Sequence, residues 1–565
     1  MGEAFMKYLI TAIAGLALAG CSVETDNTTD TADAAFMPNV SATNIEAHIR
    51  FLASDYLAGR DAGTDGYEIA ANYVAAQMRL LGLEPAGDDG TYFADVPMQE
   101  VRPDADYNQF TLDGETFAHG TGAFIGTNPS VLEAEVAGEL VFVGHGVSAA
   151  NRGHDDYDGL DVDGRIVVVM GGVPENVFEG LSEERAHHNS GTTKRNVAAA
   201  HGAIGMISIT GWTQERLTDF AAGFGSRPSV RLTAATGPSG YDTVQASANV
   251  TAELAARLFE GADMSLEDVQ AAMSADEPTY PRFALPHTAT IRQRTLSDPF
   301  NDPNVVGMIR GSDPVLADEI VVLSAHLDHI GSVTEHMRAG GSCRATDESD
   351  EVCNGAVDNA SGISIMLETA RTFLEEGTPR RSIVFVALTA EEKGLLGSEH
   401  FARNPSVPAE QMVANVNLDM PVIVYDFADV IAFGANHSNL GPIASRAADR
   451  LGIMVSEDPL PEQSLFVRSD HYNFVREGVP SLFLMTGFSS PDPRWDEGEG
   501  FMGFLTTHYH RPTDQLDGEL EVLFEQGAKF ANINYMIARE IADSDVRPAW
   551  NDDSFFGNLF GGDAE

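Results

Sequence analysis

Residues 320–332 read IVVLSAHLDHIGS, and residues 354–362 read NGAVDNASG. The first segment opens with the apolar run Ile320-Val321-Val322-Leu323, the pattern of a parallel strand covered on both faces. It closes on His326 and Asp328. The second segment sets Asp358 just ahead of Gly362, where an amphipathic helix is expected over 362–375. The same alternation continues through a strand over 383–388, a helix over 395–402, strands ending at Leu418 and Met485, and a long helix over 522–541. This pattern predicts an α/β fold with a doubly wound, mostly parallel sheet. In such sheets ligands bind beyond the carboxyl ends of the strands. The chemistry should therefore lie in the residues that follow each strand.

Those residues are rich in metal-ligating types. His326 can ligate a metal through one ring nitrogen, and Asp328, two residues on, can accept the N–H of the other and fix the tautomer. Asp358 can stabilise a helix entrance, but a carboxylate beside a turn also has two oxygens with which to bridge two cations. Glu391 and Glu392 follow the strand SIVFVAL, and two adjacent glutamates there would repel one another without a cation. One can bind metal while the other serves as general base. Asp419 follows ANVNL, and the run 507–514, THYHRPTD, offers His508 and His510. A single late histidine usually has a structural role, but a ligand type at each successive strand end points to one shared site.

Composition narrows the class. With 565 residues, two to four domains are expected. The 85 acidic residues outnumber the 34 basic ones, for a formal net charge of −51, and such a surface repels nucleic acid. It favours solubility, and it suits a salty habitat in which counterions screen the repulsion.

Residues 6–21, MKYLITAIAGLALAGC, form a short apolar run after one lysine, too short for a membrane span and typical of a secretory leader. The ending LAGC resembles a bacterial lipoprotein signal. It implies a leader over 1–21 and lipidation of Cys21 as the only membrane attachment, in the cell envelope. A Thr-, Asp- and Ala-rich tether covers 22–40. A capping box at Thr43–Glu46 opens a helix, and a second helix runs over 67–81 to Gly82. Between them, residues 57–64 read as a structural joint. From Glu139 short strands and tight turns suggest a β-rich module over 135–286. His187 and His188 within it are adjacent, do not readily converge on one ion, and read as a solvated loop. Export places Cys343 and Cys353 in an oxidising compartment, and their Gly- and Asp-rich loop suits a disulfide.

Taken together, AHLDHIG, NGAVDNASG, FVALTAEEKGLLGS, NLDM, SDHYNF and YHRPTD resemble the co-catalytic di-zinc peptidases of metallopeptidase family 28. The stretches DDYDGLDVDGRIVVV and AAAHGAIGMISI resemble the protease-associated domain inserted in many exported peptidases. The resemblance implies an N-terminal helical part over 41–134, the insert over 135–286, a catalytic domain over 287–545 and an acidic tail over 546–565. It further implies two zinc ions, with His326 and Asp419 on one, Glu392 and His510 on the other, and Asp358 bridging. Glu391 would be the general base and Asp328 the supporting partner of His326, with His508 at the rim. The implied reaction is removal of N-terminal residues from peptides. Carboxypeptidase action would need a cationic pocket, for which Arg468, Arg476, Arg494 and Arg511 are sources, and a receptor-like protein would keep the fold without the catalysis. The long cysteine-bearing loop and Pro421 depart from the family pattern. No HExxH or GxSxG motif occurs.

Overall fold

The computed structural model describes residues 38–233, 240–333, 343–344 and 350–562. The expected leader, Cys21 and nearly all of the tether lie outside the described residues. No helix among the described residues is long and apolar enough to cross a membrane.

Four parallel strands form the centre of the main sheet, in the spatial order Ser382–Leu388, Ile320–His326, Met412–Leu418, Ser481–Thr486. Every residue of these strands is buried, as their unbroken apolar sequences require. Alternate side chains leave opposite faces. Val321 and Leu323 join the core formed with the helices Gly362–Glu376, Phe524–Asp543 and Ala42–Leu52, whereas Ile320 and Val322 pack with Phe401 and Phe474 on the other face. Burial of each such side chain contributes roughly 1.5–3 kcal/mol, so the two faces together hold the strand ends in register. Antiparallel strands extend the sheet on both sides, Phe283–Ile309 next to Ser382–Leu388 and Asp429–Phe433 next to Ser481–Thr486.

Several local expectations shift. The first helix is capped by Ser41, whose hydroxyl accepts the Asn44 N–H, and not by a box at Thr43–Glu46. Glu46 instead pairs with Arg50 one turn on. The second helix, Asp65–Leu81, does end on Gly82 in the left-handed conformation. The second sheet already includes Gln109–Leu112 and Ala123–Ile125, well ahead of residue 135. These strands are too short to alter the local composition, which is why the texture changes visibly only near Glu139. The strand Phe283–Ile309 runs for 27 residues and belongs to both sheets, pairing with Glu133–Phe142 in its first half and with Phe93–Pro103 and Ser382–Leu388 in its second.

His187 and His188 do not lie in a solvated loop. They sit on the helix Ser182–Asn189, with His188 buried against Phe178 and His187 Nδ1 2.6 Å from the Tyr472 hydroxyl. This histidine pair thus forms part of the seam between the second sheet's unit and the main sheet's helices. The acidic end also folds back, burying Phe556 through the short helix Phe555–Phe560 and donating the Trp550 indole N–H to the Gly478 carbonyl.

Candidate metal centre

The ends of the parallel strands deliver the predicted residues to one buried place. His326 is the last residue of its strand, Asp419 follows Leu418 directly, and Glu391 and Glu392 follow Leu388 after a two-residue turn. His326 Nε2 stands 3.1 Å from Asp419 Oδ1 and 3.3 Å from Asp358 Oδ1. The other oxygen of Asp358 lies 3.4 Å from His510 Nε2, which is also 3.2 Å from Glu392 Oε2. Asp358 thus turns one oxygen to each of two groups: His326 with Asp419, and Glu392 with His510. His508 points elsewhere, with its ring against Phe504.

A third histidine, His329, was not anticipated as a site residue. Its Nδ1 is 2.9 Å from Glu392 Oε1 and 3.9 Å from Asp358 Oδ2. Ligand-type atoms of His326, Asp358 and Asp419 converge closely enough to hold one cation, and those of His329, Asp358 and Glu392 a second. The available signal was its position, three residues beyond His326 in the same post-strand turn.

Asp328 serves the site differently from the expectation. Its backbone carbonyl, not its carboxylate, lies 3.1 Å from His326 Nδ1, and the nearer carboxylate oxygen is 4.0 Å away. The carboxylate instead accepts the backbone N–H groups of Glu391 and Glu392 at 3.0 and 3.2 Å. The chain leaves the extended conformation after His326, so the rule that residues i and i+2 share a face no longer applies. Asp328 therefore positions the glutamate turn.

Other residues brace the ligand loops. Arg60, fully buried in the joint over 57–64, donates to the carbonyls of Leu327, Leu52, Asn354 and Gly355. One guanidinium so ties the His326 loop to the Asp358 loop, and the joint is structural as expected. Asp514 accepts the N–H groups of Val357 and Asp358 at 2.9 and 3.1 Å, and the Ser469 hydroxyl donates to Asp419 Oδ2 at 2.5 Å. Gly355 has φ +61°, and an added Cβ would lie 2.1 Å from the Asp358 carbonyl oxygen, so only glycine fits that turn. Cys343 and Cys353 are disulfide-bonded with their Cα atoms 5.9 Å apart, and the neighbouring Arg344 N–H donates to the His510 carbonyl. The bridge thereby anchors its loop to the far side of the centre.

Strain gathers at the same place. Ala390, Met420 and His510 all have left-handed backbones, at φ 53°, 45° and 59°. Such conformations cost about 1–3 kcal/mol each and persist where the surroundings over-determine them. Each residue adjoins or is one of the convergent ligand types.

Electrostatics follow from four carboxylates meeting out of water. Burial pushes the Glu391 carboxyl well above its usual range; Asp419 and Glu392 add to this, and His326 opposes it. Burial also disfavours charge on Asp358, but hydrogen bonds from His326 and His510 hold it well below the ordinary value. For Glu392, burial and the charge of Asp358 are outweighed by His510 and His329, which bring it to about 2. Burial alone would depress His326, yet the surrounding carboxylates, Asp419 and Glu391 foremost, raise it well above the usual imidazole range. Such a cluster of anionic oxygens and imidazole nitrogens is the donor set for divalent cations of the zinc type. Beside it opens a cavity of about 110 Å³, walled by Met420, Leu465, Phe483, Met485 and Tyr509, with Arg468 as its cation. Of the other three arginines, Arg494 pairs with Asp492 at the surface.

The profile described as peptidase family M28 matches residues 304–524. Aminopeptidase YwaD of Bacillus subtilis is 34% identical over 167 residues, which cover 29% of this chain and 33% of that protein. A probable zinc metalloprotease of Pyrenophora tritici-repentis is 44% identical over 66 residues, covering 12% of this chain and 15% of that protein. The matched stretches span a third or less of these curated relatives. Among solved structures, an aminopeptidase from Aneurinibacillus sp. strain AM-1 superimposes with a TM-score of 0.45 at 21% identity, covering 89% of this chain and 94% of that one.

Proposed function

Residues 304–524 belong to peptidase family M28, and from that premise we propose that the protein is a zinc-dependent aminopeptidase that removes N-terminal residues from peptides. The observation that carries this reading is Asp358, with one carboxylate oxygen toward His326 and the other toward His510. In this reading two zinc ions would be held, one by His326 and Asp419 and the other by Glu392 and His510, with Asp358 shared and His329 beside the second. When bound, zinc supplies Lewis acidity, polarising a carbonyl and acidifying water.

The remaining chemistry belongs to the chain. Glu391 accepts a proton from the attacking water on its carboxylate, then delivers it to the nitrogen of the departing amine. Asp328 holds the glutamate turn through two backbone N–H groups and so fixes where the Glu391 carboxyl points. Apolar walls at Met420, Phe483 and Met485 exclude water from an N-terminal side chain.

Arg468 in the same cavity favours one second reading, carboxypeptidase action with the substrate carboxylate on the guanidinium. A substrate panel separates the two. Aminoacyl-amide substrates should be cleaved, N-blocked and C-terminal peptide substrates should not, and a chelator should abolish turnover until zinc is returned. Cleavage confined to N-blocked peptides with a free C-terminus would replace the first reading by the second.

The LAGC ending at Cys21 supports an exported, lipid-anchored protein on the periplasmic side of the envelope. A Cys21→Ser variant should move from the membrane to the soluble fraction; unchanged membrane association would exclude the anchor.

A further inference from the structure

A second cavity, of about 320 Å³, lies behind the glutamate turn and shares no lining residue with the metal-side cavity. Its walls come from both units of the fold. Arg195 arrives on the helix Gly191–Ala200, Arg231 on the strand Ser229–Leu232, Lys393 from the turn carrying Glu391 and Glu392, and Arg403 from the end of the helix Leu396–Arg403. Only 34 of 565 residues are basic, against 85 acidic ones, so four cations around one cavity run against the composition of the whole chain.

The four are not equally neutralised. Lys393 is paired with Asp61 at 2.6 Å, and Arg403 with Glu399 at 2.8 Å. Among the described residues, no carboxylate lies within 4 Å of Arg195 or Arg231. The Arg195 guanidinium instead sits 4.0 Å over the ring of Tyr241, and Arg231 donates to the Val230 carbonyl. Both are half-buried, where two neighbouring guanidiniums repel one another more strongly than in water. Burial lowers the pKa of Arg195; Tyr241 opposes the shift, and the nearby Arg231 adds to it. Guanidinium forks recognise oxyanions bidentately, and Ser130, Thr192 and Asn196 add polar groups to the wall.

We propose that this cavity is a binding site for a small free oxyanion, a phosphate, sulfate or dicarboxylate, gripped by Arg195 and Arg231 against the Lys393 turn. The bound anion would bridge the helix Gly191–Ala200 and the turn that bears Glu391, joining the two units at the back of the metal centre. The site is independent of the peptidase reading, because its occupancy is measured without turnover.

The test is calorimetric titration of the full chain, zinc-loaded, with sodium sulfate, sodium phosphate and sodium succinate at constant ionic strength, with sodium chloride as the control. Sulfate or phosphate should bind saturably with a Kd at or below about 1 mM, and succinate reports whether carboxylates are accepted too. Arg195→Met and Arg231→Gln should each weaken binding at least about tenfold, the scale of one lost charge-assisted contact. Because each variant also relieves the repulsion, its melting temperature in anion-free buffer should equal or exceed that of the parent, and added sulfate should raise only the parent's. An amino-acid hydroxamate directed at the zinc ions should leave sulfate affinity unchanged. The proposal is overturned if no oxyanion binds saturably, if both variants bind sulfate as tightly as the parent, or if the hydroxamate displaces the anion.

Discussion

Glu391→Ala should retain its full complement of zinc while kcat falls by roughly two or more orders of magnitude, the scale of a lost general base. The reason is positional. Glu391 is absent from both convergent ligand groups, which use Asp358, Asp419 and Glu392, yet it lines the same cavity as His326 and Asp419. Its backbone N–H is held by Asp328, so the turn and the Glu392 ligand should survive truncation of the side chain. Zinc measured by elemental analysis and kcat measured on the same preparation decide the matter. Wild-type turnover would remove Glu391 from the chemistry, and lost zinc would make it a ligand instead.

Asp358→Ala should behave in the opposite way, losing both metal and activity. Both of the oxygens offered to the two groups belong to this one side chain, so no neighbour can replace it at both positions. Removal of residues that merely support ligands typically costs 10–100-fold in metal affinity, and loss of a shared ligand should exceed about 100-fold. Loss of the carboxylate also strips His326 and His510 of their shared acceptor, so the zinc-stripped variant should melt below the zinc-stripped parent. Normal zinc content in the variant would sink the bridging assignment.

The ligand types were legible because a parallel strand buried on both faces has an unmistakable apolar sequence, and its carboxyl end marks where to look. His326, Asp419 and the Glu391–Glu392 pair all sit within four residues of such an end. Residues that act through backbone groups were not legible. Arg60 meets the Leu327 carbonyl across 267 positions of chain, and Asp514 meets the Val357 N–H across 157. No local pattern reports such contacts. Asp328 shows a subtler failure, since its spacing from His326 was right for an extended chain and the chain is not extended there. The early edge of the second sheet has no sequence signature, because strands of three and four residues carry no period.

The strand Phe283–Ile309 bears on how the molecule can move. A loop joining two bodies permits one to swing on the other, but a ribbon hydrogen-bonded along both sheets behaves as a beam clamped at each end. Bending it sharply at any one residue would strand backbone donors and acceptors. The second unit is therefore ill-suited to flap over the metal centre like a door. In the proposed reaction, access would instead depend on side chains and short loops at the rim, such as Tyr509 and Arg344 beside the disulfide.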